Sequence, residues 1–178
     1  MLSITYDSGH SGFILVCVLP TPRKGGTVRD IQLETHTELQ APASKVFDFV
    51  ADNTNVPRWQ SGIDEIQRIT PGPIGVGTEH ELTRRFAGMK IVGRNRYIAY
   101  KPGRFVAFEI PSGKMNGVAS YLVEPTGANT CQLISKVDFQ VVGLAQFATP
   151  LLKLLFKRDD KKALAKLKNL MENPQAAD

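Results

Sequence analysis

The sequence predicts an α+β fold in which a curved antiparallel sheet wraps one long C-terminal helix, with two short helices after the first strand. Three patterns carry this prediction: an alternating segment that turns helical near residue 41, a run of period-two segments from residue 63 to 142, and a helical stretch from about Leu144 to Glu172.

From Asp30 to Leu39, Ile31, Leu33, Thr35, Thr37 and Leu39 share one parity against polar neighbours, the alternation of a half-buried strand. Ala41-Pro42 then opens a helix, because proline is tolerated in a first turn. Ala43, Val46, Phe47 and Val50 recur at helical spacing and define its apolar face. Asp52 to Asn55 supply capping side chains, and Val56-Pro57-Arg58-Trp59 reads as a second short helical turn. The following segments, Ile63–Thr70, Thr78–Phe86, Met89–Tyr100, Arg104–Ile110, Gly117–Val123 and Thr130–Val142, are strands of a meander separated by Gly- and Pro-rich turns. In the last helix Leu152, Phe156, Ala163, Leu167 and Leu170 form one face, and Leu144, Phe147, Ala148, Leu151, Leu154 and Leu155 add a second face that predicts an almost fully buried first half. Such elements bury their apolar faces together only if the sheet curls around the helix, a helix-grip layout that leaves room for a cavity between the two.

The chain has 178 residues, 42% of them hydrophobic and 22% charged, which suits one compact domain at residues 30–172. Residues 1–29 read as an appendage joined by the Pro20 to Gly26 linker, either a lid or partner strand or a poorly ordered extension, and residues 173–178 as a tail. The apolar run Phe13 to Leu19 is far shorter than the roughly 18 residues of a membrane span and lacks the basic flank and cleavage site of a signal peptide. Two distant cysteines, Cys17 and Cys131, imply no disulfide framework, and a cytoplasmic location is expected. The net charge of +5 is concentrated in the last helix, where Lys153 to Glu172 carries seven basic and three acidic residues; this reads chiefly as a solvated face. Beside apolar residues, such a run also permits transient contact with an anionic membrane surface. Nucleic-acid binding is not expected, since Arg84, Arg85, Arg94 and Arg96 have no accompanying recognition motif. A monomer or a homodimer is expected.

Four segments resemble the START-like superfamily, the polyketide cyclase/dehydrase and lipid transport family, whose fold is the Bet v 1/START-like helix grip. Ala41 to Asp52 is similar to its strand-to-helix junction and Val56-Pro57-Arg58-Trp59 to the corner that follows. Ile74-Gly75-Val76-Gly77-Thr78 resembles its glycine turn, and Lys101-Pro102-Gly103 with Arg104 to Glu109 its hairpin and aromatic strand. The resemblance spans about Asp30 to Met171 and implies the fold. It implies no particular activity, because this fold hosts carriers, cyclases, hydrolases and receptors, and no catalytic set is shared among them.

The residues by themselves argue against several chemistries. His10, His36 and His80 lie in separate segments without metal-ligand spacing, so neither a metal nor a cofactor is expected. Phosphate-cradle and nucleophile-elbow motifs are absent from the sequence. What remains is a pocket between sheet and helix, with ligand-lining candidates chosen strand by strand. Trp59, Tyr97 and Tyr121 are amphipathic and offer a hydrogen bond from an apolar body. His80, Leu82 and Arg84 share one strand face, as do Phe105 and Glu109, while Ser135 and Phe139 lie on the apolar face of the last strand. Leu152 and Phe156 would face them from the helix. If His80, Arg84 and Glu109 do not face the cavity, as the cost of an unpaired buried charge favours, Arg84 and Glu109 are solvent-side charges and His80 is a surface or internally satisfied residue. A bulge would invert any of these parities. The expected function is binding of a small hydrophobic or amphipathic molecule, such as a lipid, polyketide or aromatic metabolite. The alternatives are a cyclase or dehydratase using polar cavity residues for proton transfer, and an interaction module whose cavity its own side chains fill.

Overall fold

Strand alternation from Asp30 is realised as β1 (Arg29–Leu39) in a computed structural model that describes residues 29–86, 89–112, 115–141 and 149–173. Pro42 precedes α1 (Ala43–Ala51), which buries Val46, Phe47, Val50 and Ala51, close to the stripe expected from helical spacing. The Asp52 carboxylate accepts from the Thr54 amide at 3.0 Å and caps a 3-10 helix at Asn53–Arg58. Six further strands follow: β2 (Ile63–Arg68), β3 (Glu79–Phe86), β4 (Met89–Lys101), β5 (Phe105–Ser112), β6 (Met115–Gly127) and β7 (Thr130–Val141). The long helix α2 (Thr149–Glu172) completes the described order.

All neighbouring strands pair antiparallel in the order β1-β7-β6-β5-β4-β3-β2, an open, curved seven-stranded sheet with β1 and β2 at its edges. The α1 and 3-10 segment carries the chain from one edge to the other, so each later strand adds by a hairpin. Helix α2 lies across the inner face and runs in the direction of β1. Its C-terminal end is pinned by Lys168 Nζ donating to Glu38 O at 2.8 Å and by the Gln40 amide donating to the Glu172 carboxylate at 2.7 Å. Thr35 and Asp160 join the same two elements further back. This is the helix-grip architecture.

Burial along the grip is uneven. At the pinned end Leu39, Val123, Leu133, Leu164 and Leu167 are buried, as a close-packed core requires. Toward the start of β1 and α2 burial is mixed: Ile31 is fully buried, whereas the inner-face residues Leu82, Ile110, Val137, Phe139 and Phe156 are only half-buried. Leu151, Leu154 and Leu155 are 60%, 65% and 46% exposed, which corrects the expectation of a first half buried nearly all round. A helix laid on a sheet buries one stripe, and its outward leucines meet no second layer among the described residues. Residues 144–148, expected to begin this helix, and the expected appendage lie outside the described residues.

Gly117 of β6 shows how tightly β6 and β7 pack. A Cβ there would fall inside the Phe139 ring and 2.9 Å from the Asp138 carbonyl, so the absent side chain is what lets Phe139 lie flat over β6. Phe139 in turn stacks on Phe156 of α2, with ring centroids 5.4 Å apart.

Candidate functional site

Ring contacts run without interruption across the inner face. His80 of β3 lies 5.3 Å from Tyr97 of β4, Tyr97 5.9 Å from Phe108 of β5, Phe108 6.0 Å from Tyr121 of β6, and Tyr121 5.8 Å edge-on to Trp59 after the 3-10 helix. Strand pairing builds this arc, since His80 pairs with Asn95, Tyr97 with Phe108, and Tyr121 with Val106 and Ser135. A register shift between Tyr97 and Ala99 inserts one residue into β4. Tyr97 and Tyr100, three apart and so on opposite faces of a regular strand, consequently both point inward and stack with centroids 6.4 Å apart.

At one end of the arc is a polar corner formed by β3, β4 and the 3-10 helix. The Tyr97 hydroxyl donates to Ala51 O at 2.6 Å and accepts from the Asn53 amide at 3.2 Å, closing the junction between α1 and the 3-10 helix. His80 is fully buried, Asn53 is 1% and Asn95 3% exposed; Asn95 is a hydrogen-bonding neighbour of His80, and no other partner meets the ring nitrogens of His80, the side-chain polar atoms of Asn53 or Oδ1 of Asn95. Burial lowers the His80 pKa below its ordinary value; Asp52 and a hydrogen bond with Asn95 oppose this and Arg68 adds to it. The ring is therefore neutral at pH 7, with one nitrogen to donate and one to accept.

Under α2 lies a second polar group. Thr35, Ser135 and Tyr121 are register partners on β1, β7 and β6, and Asp160 of α2 faces this row. Thr35 Oγ1 donates to Asp160 Oδ2 at 2.6 Å. Burial raises the Asp160 pKa, with hydrogen bonds from Thr35 and Ser135 offsetting part of the effect. Tyr121, whose hydroxyl accepts from Gln60 Nε2 at 3.4 Å, is held above the ordinary phenol range by burial and by Asp160 nearby. Two ionisable groups thus stand inside the grip, one at each side of the aromatic arc.

Of the residues singled out from sequence, Trp59, His80, Tyr97, Tyr121 and Ser135 are buried on the inner face. Leu82, Phe139 and Phe156 lie there half-buried. Arg84 has inward parity beyond His80 and Leu82 but is exposed, since it pairs with Ile63 near the open end of β3. Phe105 falls on the outer face against its choice as a lining residue, and Glu109 takes the solvent-side position. Their neighbours Val106 and Phe108 occupy the inner face, so β5 places these two on the outer one, where Glu109 pairs with Arg96 at 2.6 Å in an exposed ion pair. His80 is not at the surface, and Asn95 is its internal hydrogen-bonding neighbour. The side chain of Leu152 lies outside the described residues. Sequence reasoning missed Asn53, Asn95 and Asp160. Asn95 shares inward parity with Tyr97 and was open to discovery on that ground, whereas Asp160 was masked by the charged run around it. Among the described residues no three His, Cys, Asp or Glu side chains gather as a metal site, and no helix is long and apolar enough to cross a membrane. A shallow depression involving Gly103, Arg104, Glu124 and Gln132 is lined by none of the arc residues.

A sheet gripping a helix over an aromatic inner face is the architecture of START-like proteins. Residues 30–172 match the family described as polyketide cyclase/dehydrase and lipid transport, and the chain belongs to that family. Among solved structures, a START superfamily protein from Mycobacterium smegmatis is 15% identical, with a TM-score of 0.67 over 79% of this chain and 96% of its own. The Zhui aromatase/cyclase from a Streptomyces species is 14% identical, with a TM-score of 0.65 over 82% of this chain and 98% of its own. The di-domain ARO/CYC BexL is 18% identical, with a TM-score of 0.64 over 78% of this chain; the chain spans 45% of that protein's length. At these identities the likeness is one of fold. No curated protein sequence matches the chain.

Proposed function

We propose that this protein binds a small hydrophobic or amphipathic molecule between its sheet and α2, with the aromatic arc as floor. One observation carries the reading: within a grip whose far end is fully packed, Leu82, Ile110, Val137, Phe139 and Phe156 keep part of their apolar surface accessible on the inner face. Apolar surface facing into a fold is stabilised by an apolar occupant, at about 25 cal/mol per Å² removed from water. The lipid, polyketide and aromatic classes all supply such an occupant. Native mass spectrometry of gently purified full-length protein, followed by denaturation and extraction, tests this. A stoichiometric apolar compound is the expected result. Absence of any compound, together with no quenching of Trp59, the single tryptophan, by aromatic or lipid probes, would move the reading to an interaction module. Glu109→Gln on the outer face serves as the control and leaves binding unchanged.

A second reading is favoured by His80 and Asp160 standing inside the same grip. In a cyclase- or dehydratase-like enzyme, the arc would hold a reactive chain folded while these two groups moved protons. Replacing either by an amide that cannot shuttle the proton, His80→Gln or Asp160→Asn, then abolishes turnover, whereas a carrier has no turnover to lose.

The partner for loading is an anionic membrane surface. Leu151, Leu154 and Leu155 continue along one outward stripe of α2 into Arg158, Lys161 and Lys162, pairing exposed apolar area with positive charge.

A further inference from the structure

We infer that the corner formed by the 3-10 helix, β3 and β4 is a polar subsite that receives an uncharged donor–acceptor group of the ligand, a hydroxyl or a carboxamide, through His80, Asn95 and Asn53. The inference rests on the ligand-binding reading and specifies which end of the ligand enters the corner. Five buried polar atoms lie at this corner without a well-formed partner, two on His80, two on Asn53 and one on Asn95, and the contact among them is between His80 and Asn95. A buried polar atom left unpaired costs about 1–3 kcal/mol, so a cluster of this kind marks a place built to be satisfied from outside the chain. The corner is contiguous with the arc. His80 lies against the Tyr97 ring, and the Tyr97 hydroxyl accepts from the Asn53 backbone amide. An apolar body against half-buried Leu82, two residues from His80 on the same face of β3, therefore presents its end toward this corner.

The charge of that end follows from the surroundings. One acidic and one basic side chain, Asp52 and Arg68, stand near enough to His80 to act on it. The Asp52 carboxylate is already engaged by the Thr54 amide and by Thr54 Oγ1, at 3.0 and 2.7 Å. Arg68 is exposed to water. A carboxylate or ammonium entering the corner would lose its hydration without a dedicated counter-charge, which is far more costly than burying a hydroxyl. Neutral His80 supplies one donor and one acceptor, and each asparagine carboxamide supplies both kinds of group, matching a partner that itself both donates and accepts.

Three probes of one shape separate the possibilities in the full-length protein: 1-methylnaphthalene, 1-naphthol and 1-naphthoate, followed by Trp59 fluorescence and by the ring nitrogen resonances of His80. The naphthol is expected to bind at least tenfold more tightly than the methyl compound and to move the His80 resonances. Asn95→Leu is expected to erase that advantage while leaving the affinity for 1-methylnaphthalene unchanged. If Asn95→Leu does not fold, the unsubstituted protein still decides through the naphthol preference and the His80 shift. Tightest binding of the naphthoate overturns the inference in favour of an anion site. Equal binding of naphthol and methyl compound with unmoved His80 resonances overturns it in favour of a corner filled by solvent, and leaves the ligand-binding reading standing. No binding of any of the three removes the reading and the inference together.

Discussion

Thr35 Oγ1 donates a 2.6 Å hydrogen bond to Asp160 Oδ2 across 125 positions of sequence, tying the first strand to the last helix inside the grip. This bond is shorter than most neutral hydrogen bonds, as expected for a hydroxyl donating to a carboxylate. It fixes which stripe of α2 faces the sheet.

Asp160 carries a pH dependence whose sign follows from its surroundings. Burial raises its folded-state pKa above the ordinary 3.8, so the folded chain holds this proton more tightly than the unfolded chain. The associated stability is fully present below about pH 4 and is lost as the pH rises through the folded-state value. Asp160→Asn has no such loss. Its melting temperature relative to the unsubstituted protein should therefore rise as the pH is raised above about 4 and level off once the folded-state value is passed, and a difference that stays flat or shrinks contradicts the burial of this carboxyl.

Tyr97 and Tyr121 make an internal comparison. Tyr97→Phe strips partners from the Ala51 carbonyl and the Asn53 amide, both in buried residues, and should cost about 1–3 kcal/mol in urea unfolding. Tyr121→Phe removes only a hydroxyl whose bond from Gln60 is 3.4 Å long, and should cost under about 1 kcal/mol. Equal costs would show that the Tyr97 hydroxyl does not anchor the α1 junction.

Gly117→Ala places a methyl group against the Phe139 ring and should destabilise the protein by about 1–3 kcal/mol. Combining it with Phe139→Ala should cost less than the sum of the two single changes, because the collision disappears. Strict additivity in chemical denaturation would contradict the close approach of β6 and β7.

The leucine stripe of α2 is tested by vesicle co-sedimentation. Binding to vesicles of phosphatidylcholine with phosphatidylserine should exceed binding to phosphatidylcholine alone and fall with added salt. Leu154→Glu and the pair Lys161→Glu with Lys162→Glu should each reduce it at least tenfold. Binding that ignores lipid charge, or a stripe found covered by a second copy in sedimentation velocity, would sink the proposal.

Much of the fold is legible in the residues because periodicity is local. The Asp30–Leu39 alternation became β1, the Pro42 helix became α1, and six turn-bounded segments became β2 to β7 within a few residues of their expected ends. Asp52 acts as the expected cap. The candidate site was legible in part. Choosing amphipathic aromatics placed Trp59, Tyr97 and Tyr121 correctly on the inner face, because a bulky ring with one polar atom is stable at a packed boundary.

The sequence by itself determined the order and type of the elements, and with them the grip, since the spacing of apolar residues selects strand or helix before any long-range contact forms. Only the tertiary structure decided which faces meet. An inserted residue in β4 turned Tyr97 and Tyr100 to the same side, and β5 turned Glu109 outward to Arg96. Packing of α2 against Thr35 and Ser135 drew Asp160 out of a charged run and left Leu151, Leu154 and Leu155 in solvent. Register and helix rotation are settled by pairing between strands and by contacts as distant as Thr35 with Asp160, 125 positions apart, and no local period records them.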